Sequence, residues 1–128
     1  MERQLTLLPA IDKETKKKVQ KEVVKILKEY RALKTRFENE VKLKHEGISL
    51  FPEIRDTRYI SNIKFKQIDK ALEYVLDYDE AEIIKKKYLN ADKPKDSFIY
   101  TELSMKKDHF YYKKKNAIRL IATSLGMI

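Results

Sequence analysis

Lysine, histidine, tyrosine and arginine side chains crowd residues 106–119, where together they could bind a polyanion. If this stretch is a helix, Phe110, Ala117 and Ile121 recur at spacings of seven and four and mark one buried stripe. The other side of the helix is then basic and aromatic, like surfaces that lie in a DNA groove. We therefore predict DNA contact by residues in and just before this helix: Lys106, Lys107, Asp108, His109, Tyr111, Tyr112, Lys113, Lys114, Lys115 and Arg119.

The predicted contacts divide into phosphate binding and base reading. Lysine and arginine neutralise phosphates without choosing a sequence, so the later cations are assigned to the DNA backbone: Lys113, Lys114, Lys115 and Arg119. Near the helix start, Lys107 could bond guanine O6 and N7, His109 could donate or accept, and Tyr112 could contact a base edge or a thymine methyl. Both tyrosines have a structural alternative, packing against the linker at 45–58, and Tyr111 lies nearer the apolar stripe.

A short helix and a turn are predicted immediately before this helix. Ile99 and Leu103 lie four residues apart and would seal the short helix against the core, and Met105 follows in a tight turn. Pro94 suits the first position of the short helix, where no amide hydrogen is needed. Residues 97–122 therefore have the pattern of a helix-turn-helix.

The rest of the chain also predicts helices. With two glycines and three prolines in 128 residues, breaks are few, so an all-α fold is expected, and Gly126 suits a left-handed C-cap of the last helix. Asp12 is a candidate N-cap for a long amphipathic helix ending near Lys44. Its apolar residues recur at steps of three and four: Val19, Val23, Ile26, Leu27, Tyr30, Leu33, Phe37 and Val41. This heptad-like stripe either packs within its own chain, which we favour, or pairs with a second copy in a homodimer.

Three segments connect the long helix to the predicted helix-turn-helix. Residues 45–58 combine apolar side chains with turn residues, which predicts a linker folded back against the core. A second helix is expected from residue 57 or 61 to about Asp77, followed by a shorter helix capped by Asp79. We divide the chain into an N-terminal helical region, 1–78, and a DNA-binding region, 79–128.

The charge balance favours an anionic partner. Twenty-nine Lys and Arg against 20 Asp and Glu give a formal net charge of +9 at pH 7, which suits nucleic acid or an acidic membrane surface. The chain has no cysteine, and no apolar run approaches the ~18 residues of a membrane span, so we expect a soluble, cytoplasmic protein. Motifs for phosphate-loop, nucleophilic or zinc-dependent catalysis are absent. We therefore expect no enzyme, no metal and no cofactor.

Two charged runs outside the motif have simple structural explanations. Four acids could suggest a metal or acid-base site, but acids gather at helix N-termini because of the helix dipole, and we favour that explanation for Asp77, Asp79, Glu80 and Glu82. The lysine run Lys85–Lys87 is most simply a solvated helix face.

Four segments carry a resemblance to a known family: LTLLPAID near the start, IIKKKYLN at 83–90, FIYTELSM at 98–105 and HFYYKKKNAIRLIATSLGM at 109–127. Their order resembles the ArpU-type regulators of phages and prophages in Gram-positive bacteria, over nearly the whole chain. The resemblance implies control of late-gene or autolysin transcription and a C-terminal helix-turn-helix similar to the promoter-reading one of bacterial sigma factors. It also implies which residues face the major groove: Lys107, Asp108, His109, Tyr111 and Tyr112.

The chain departs from that family pattern at two positions. Ser104 stands in the turn where glycine is usual, and a non-glycine residue in the left-handed region costs about 1 kcal/mol. Lys106 stands where a hydroxyl N-cap is usual, and losing a capping side chain costs about 1 kcal/mol. Asp108 in the first turn offsets part of this loss through the helix dipole.

Two functions from different classes fit these observations. We favour a sequence-specific transcription factor whose last helix reads a promoter, while the N-terminal helices dimerise or contact RNA polymerase. The alternative is a phage DNA-packaging or other oligomeric DNA-recognition subunit that assembles through the long helix. A monomer or dimer would favour the regulator, and a ring of many copies the packaging subunit. A membrane-surface protein is disfavoured because the cations follow a helix-turn-helix pattern rather than one amphipathic basic helix.

Overall fold

A computed structural model describes residues 10–47 and 50–128. Within these ranges the chain forms five helices and no strand, which confirms the all-α prediction. The helices are α1 (Lys13–Glu46), α2 (Arg58–Tyr74), α3 (Tyr78–Tyr88), α4 (Asp96–Glu102) and α5 (Lys107–Ser124). In this part of the chain, no helix is both long and apolar enough to cross a membrane.

The long first helix begins and ends close to where the sequence predicts. The Asp12 side chain accepts a hydrogen bond from the Thr15 amide at 2.7 Å, and the helix ends at Gly47, whose φ of 66° is left-handed. At about 1.5 Å per residue, its 34 residues span about 50 Å. α1 is therefore long enough to contact the C-terminal helices at one end and extend well beyond them at the other.

The apolar stripe of α1 is buried within its own chain. Val19, Val23 and Leu27 form one core with Ile84 of α3 and with the buried residues in the second half of α5, from Ala117 to Ala122. Helices on both sides of residue 78 therefore share a single core.

Further along α1, a second cluster packs against α2. Phe65 stacks on Tyr30 and Phe37, with ring centroids 5.5 and 5.0 Å apart. The Tyr30 hydroxyl donates to the Asp69 carboxylate at 2.7 Å, and burial together with this carboxylate raises the pKa of Tyr30. Leu33 also packs against this cluster. From Val19 to Phe37 the stripe considered for a homodimer is thus occupied intramolecularly, as we favoured, whereas Val41 at its far end is 52% exposed.

Two predicted boundaries were wrong by one or two residues. Asp77, not Asp79, caps α3, because Asp77 and Glu80 form a reciprocal capping box with bonds of 2.8 and 2.9 Å. This pairing confirms that these acids serve the helix start. Pro94 lies just before the N-cap Lys95 of α4 rather than at its first helical position.

The linker prediction was also wrong. Leu50, Phe51 and Ile54 are 68%, 83% and 92% exposed, so they are not folded against the core. Only residues of α1, α2 and the linker itself line the open groove at this end of the molecule. Among residues 10–47 and 50–128, no third helix lines this groove to cover the apolar side chains of the linker.

Candidate nucleic-acid interface

The turn between α4 and α5 has the geometry that the helix-turn-helix prediction requires. Ser104 has a φ of 56°, which confirms the left-handed position expected of it. The Ser104 amide donates to the Thr101 carbonyl at 3.1 Å, and the Met105 amide donates to the Tyr100 carbonyl at 2.8 Å. These two bonds form a Schellman motif that satisfies the last carbonyls of α4. Lys106 is the N-cap of α5 and makes no side-chain capping bond, as its residue type predicts.

A small apolar core fixes α4 and α5 against α3. Ile83, Ile99 and Phe110 are each 0% exposed and contact one another at the centre of the three helices. The Phe110 ring makes an edge contact with Tyr111, with centroids 5.3 Å apart. Tyr111 therefore packs against this core, and not against the linker as its structural alternative supposed.

A carboxylate at the start of α4 connects all three helices. Asp96 pairs with Lys87 of α3 at 2.9 Å and with Lys114 of α5 at 3.2 Å. Burial on its own would raise the pKa of Asp96, but the two ammonium groups outweigh burial and lower it. Lys114 also lies over the Tyr111 ring, 5.5 Å from its centroid. This arrangement holds Lys114 beside the core rather than on the open face.

Two more ion pairs hold the helices together. Lys113 of α5 donates to Asp77, the cap of α3, at 2.6 Å, and this bond lowers the pKa of the Asp77 carboxyl. Lys86 of α3 bonds Glu102 at the end of α4, also at 2.6 Å. The prediction that Lys85–Lys87 are simply solvated was therefore wrong for Lys86 and Lys87, because both reach acids on α4. Lys85 is exposed.

The structure separates the predicted DNA-contact residues into two groups. Six lie on the exposed surface at the start and outer side of α5: Lys106, Lys107, Asp108, His109, Tyr112 and Lys115. Tyr112 is 62% exposed, which removes its structural alternative. The other four are half-buried and interact within the chain: Tyr111, Lys113, Lys114 and Arg119. The phosphate contacts assigned to Lys113 and Lys114 remain predictions, but both ammonium groups already have carboxylate partners.

Three lysines that the sequence analysis did not assign to DNA lie beside this surface. Lys13, Lys16 and Lys17 of α1 border an open groove of about 450 Å³ together with Tyr112 and Lys115 of α5. In the sequence these lysines belong to the charged run KETKKK after the α1 cap, and nothing in that run indicates which helix lies beside it. Its proximity to α5 depends on tertiary packing across about a hundred residues of sequence.

Comparisons with protein-family models, with curated proteins and with solved structures found no match to this chain. Among residues 10–47 and 50–128, no group of acids and histidines is placed to hold a metal ion. The functional argument therefore depends on the geometry and charge of the surface itself.

Proposed function

We propose that the protein is a sequence-specific, double-stranded DNA-binding regulator of transcription rather than an enzyme, and that α5 reads the promoter. One observation carries this proposal. A left-handed turn at Ser104 leads directly into α5, and the first residues of α5, including Lys107 and His109, are exposed. In helix-turn-helix proteins, the start of the second helix enters the major groove and contacts base edges.

The division between exposed and paired cations supports distinct roles along α5. In this proposal, Lys107, His109 and Tyr112 read bases, while Lys106 and Lys115 contact phosphates. Lys113 and Lys114 instead hold α5 in place through Asp77 and Asp96. A recognition helix that is rigidly held loses less conformational entropy on binding than a mobile one.

The resemblance to ArpU-type regulators supplies the biological setting of the proposal. It favours a phage or prophage gene, and it makes RNA polymerase a candidate partner of the N-terminal helices. A homodimer would then require a surface other than the buried α1 stripe, because Val23 and Tyr30 are already packed within one chain.

Selection of bound sequences from a random duplex pool tests this function. We expect one enriched motif, and a two-fold motif with half-sites about one helical turn apart would indicate a dimer. As a matched control, Lys107→Ala should blur one position of the motif and leave the others enriched, because a single base contact is lost. A protein that retains duplexes but enriches no sequence would contradict sequence-specific regulation.

A further inference from the structure

We propose that the groove between the first turns of α1 and the outer face of α5 holds the sugar-phosphate backbone of the duplex that α5 reads. This inference rests on the proposed function and adds a second helix to the DNA-binding surface. The groove has a volume of about 450 Å³. Five cationic residues and no acid line it: Lys13, Lys16, Lys17, Lys115 and Arg119.

The α1 side of the groove carries lysines that do not stabilise the helix. Lys13, Lys16 and Lys17 are spaced by three and four residues and therefore share one face. Cations at a helix N-terminus oppose the helix dipole, which favours acids there. None of the three forms an ion pair with an acid among the described residues, 10–47 and 50–128. Three positive charges gathered at the unfavourable end of a helix favour an external anion as their partner.

The α5 side makes the groove continuous with the proposed reading face. Tyr112 and Lys115 are exposed, and both border the groove as well as the outer face of α5. A phosphate backbone flanks each side of the major groove, so a helix lying in that groove has a backbone beside it. This continuity favours DNA over the phosphates of a lipid surface.

The test is the triple variant Lys13→Gln/Lys16→Gln/Lys17→Gln in the full chain. Each lost phosphate contact should reduce the log-log salt slope of binding by about 0.9, so a total reduction of about 2 to 3 is expected. Affinity should fall on the order of tenfold or more for selected and random duplexes alike, because backbone contacts carry no sequence information. Melting temperature should not fall, since removing these cations relieves the dipole.

A charge-matched control comes from the same helix. Lys28→Gln/Lys34→Gln/Lys42→Gln also removes three exposed lysines. Lys28, the nearest of these three lysines, lies about 16 Å along α1 from Lys17. This distance exceeds the Debye length of about 10 Å at 0.1 M salt. This variant should keep the wild-type slope within about half a unit, because it removes no direct contact.

The outcomes separate this inference from the proposed function. If Lys107→Ala, which lies outside the groove, weakens binding but the α1 triple variant matches its control, the groove does not hold DNA, although α5 still does. If neither changes DNA binding, the proposed function fails as well. A third measurement compares binding of the wild type and the α1 variant to vesicles of phosphatidylcholine with phosphatidylserine. Loss of vesicle binding with unchanged DNA binding in the α1 variant would also overturn the inference.

Discussion

Apolar side chains are buried at one end of this molecule and exposed at the other. At the helix-turn-helix end, Ile83, Ile99 and Phe110 are fully buried among three helices. At the other end, where the linker joins α1 to α2, Phe51 and Ile54 are 83% and 92% exposed. The contrast teaches that close packing is concentrated behind the surface that we propose for DNA, and residues that contact a ligand need such support from packing and ion pairs.

The largest expected effect is a loss of stability when the core of the helix-turn-helix end is changed. Phe110→Ala should lower the free energy of unfolding by about 3 to 5 kcal/mol, because it leaves a cavity where three helices meet. Phe51→Ala at the open end is the matched control and should change stability by no more than about 0.5 kcal/mol. Urea unfolding of both variants measures this difference. Equal losses would mean that the two ends are packed alike.

Loss of the central ion pairs should have an intermediate effect. Asp96→Asn removes the charge that Lys87 and Lys114 share. At neutral pH we expect a loss of about 1 to 3 kcal/mol, because both lysines lose their charged partner. Asp92→Asn, at an exposed acid in the loop just before α4, is the control and should be near neutral.

The same carboxylate predicts a pH dependence. Because its pKa is lowered in the folded protein, Asp96 stabilises the fold above its unfolded pKa. That contribution is lost as pH falls through the folded pKa. Wild type and Asp96→Asn should therefore converge in melting temperature under acid conditions. A gap that stays constant down to strongly acid pH would show that the charge of Asp96 is not what stabilises the helices.

The smallest expected effect is at the turn. Ser104→Gly should be neutral or stabilising by up to about 1 kcal/mol, because Ser104 occupies a left-handed conformation at a φ of 56°. Ala32→Gly at an exposed helical position of α1 should instead destabilise by about 1 kcal/mol. Thermal melts compare the two. Destabilisation by Ser104→Gly as large as that of Ala32→Gly would contradict the turn geometry.

Periodicity and turn chemistry predicted much of this fold. The α1 stripe, the left-handed Ser104 and Gly126, and the buried face of α5 all follow from local spacing or backbone preference. Long-range side-chain contacts did not follow from such rules. A lysine side chain can reach acids on several neighbouring elements, so the partners of Lys113 and Lys114 depend on how the helices pack.

The open end and the α1 lysines show a second limit. An apolar linker such as 50–54 predicts burial only if another element is there to cover it, and local pattern cannot say whether one is. Likewise, the local pattern of the run after the α1 cap does not indicate that Lys16 and Lys17 lie beside α5. In both cases the missing information is which elements become neighbours.

The most direct test of sequence reading compares Lys107→Ala with Lys115→Ala on the selected duplex and on random duplexes. Lys107→Ala should cost about 1 to 3 kcal/mol on the selected duplex and much less on random DNA, because it removes a base contact. Lys115→Ala should weaken both equally and reduce the salt slope by about 1, because it removes a phosphate contact. Equal losses on every duplex for both variants would contradict the claim that α5 reads DNA sequence.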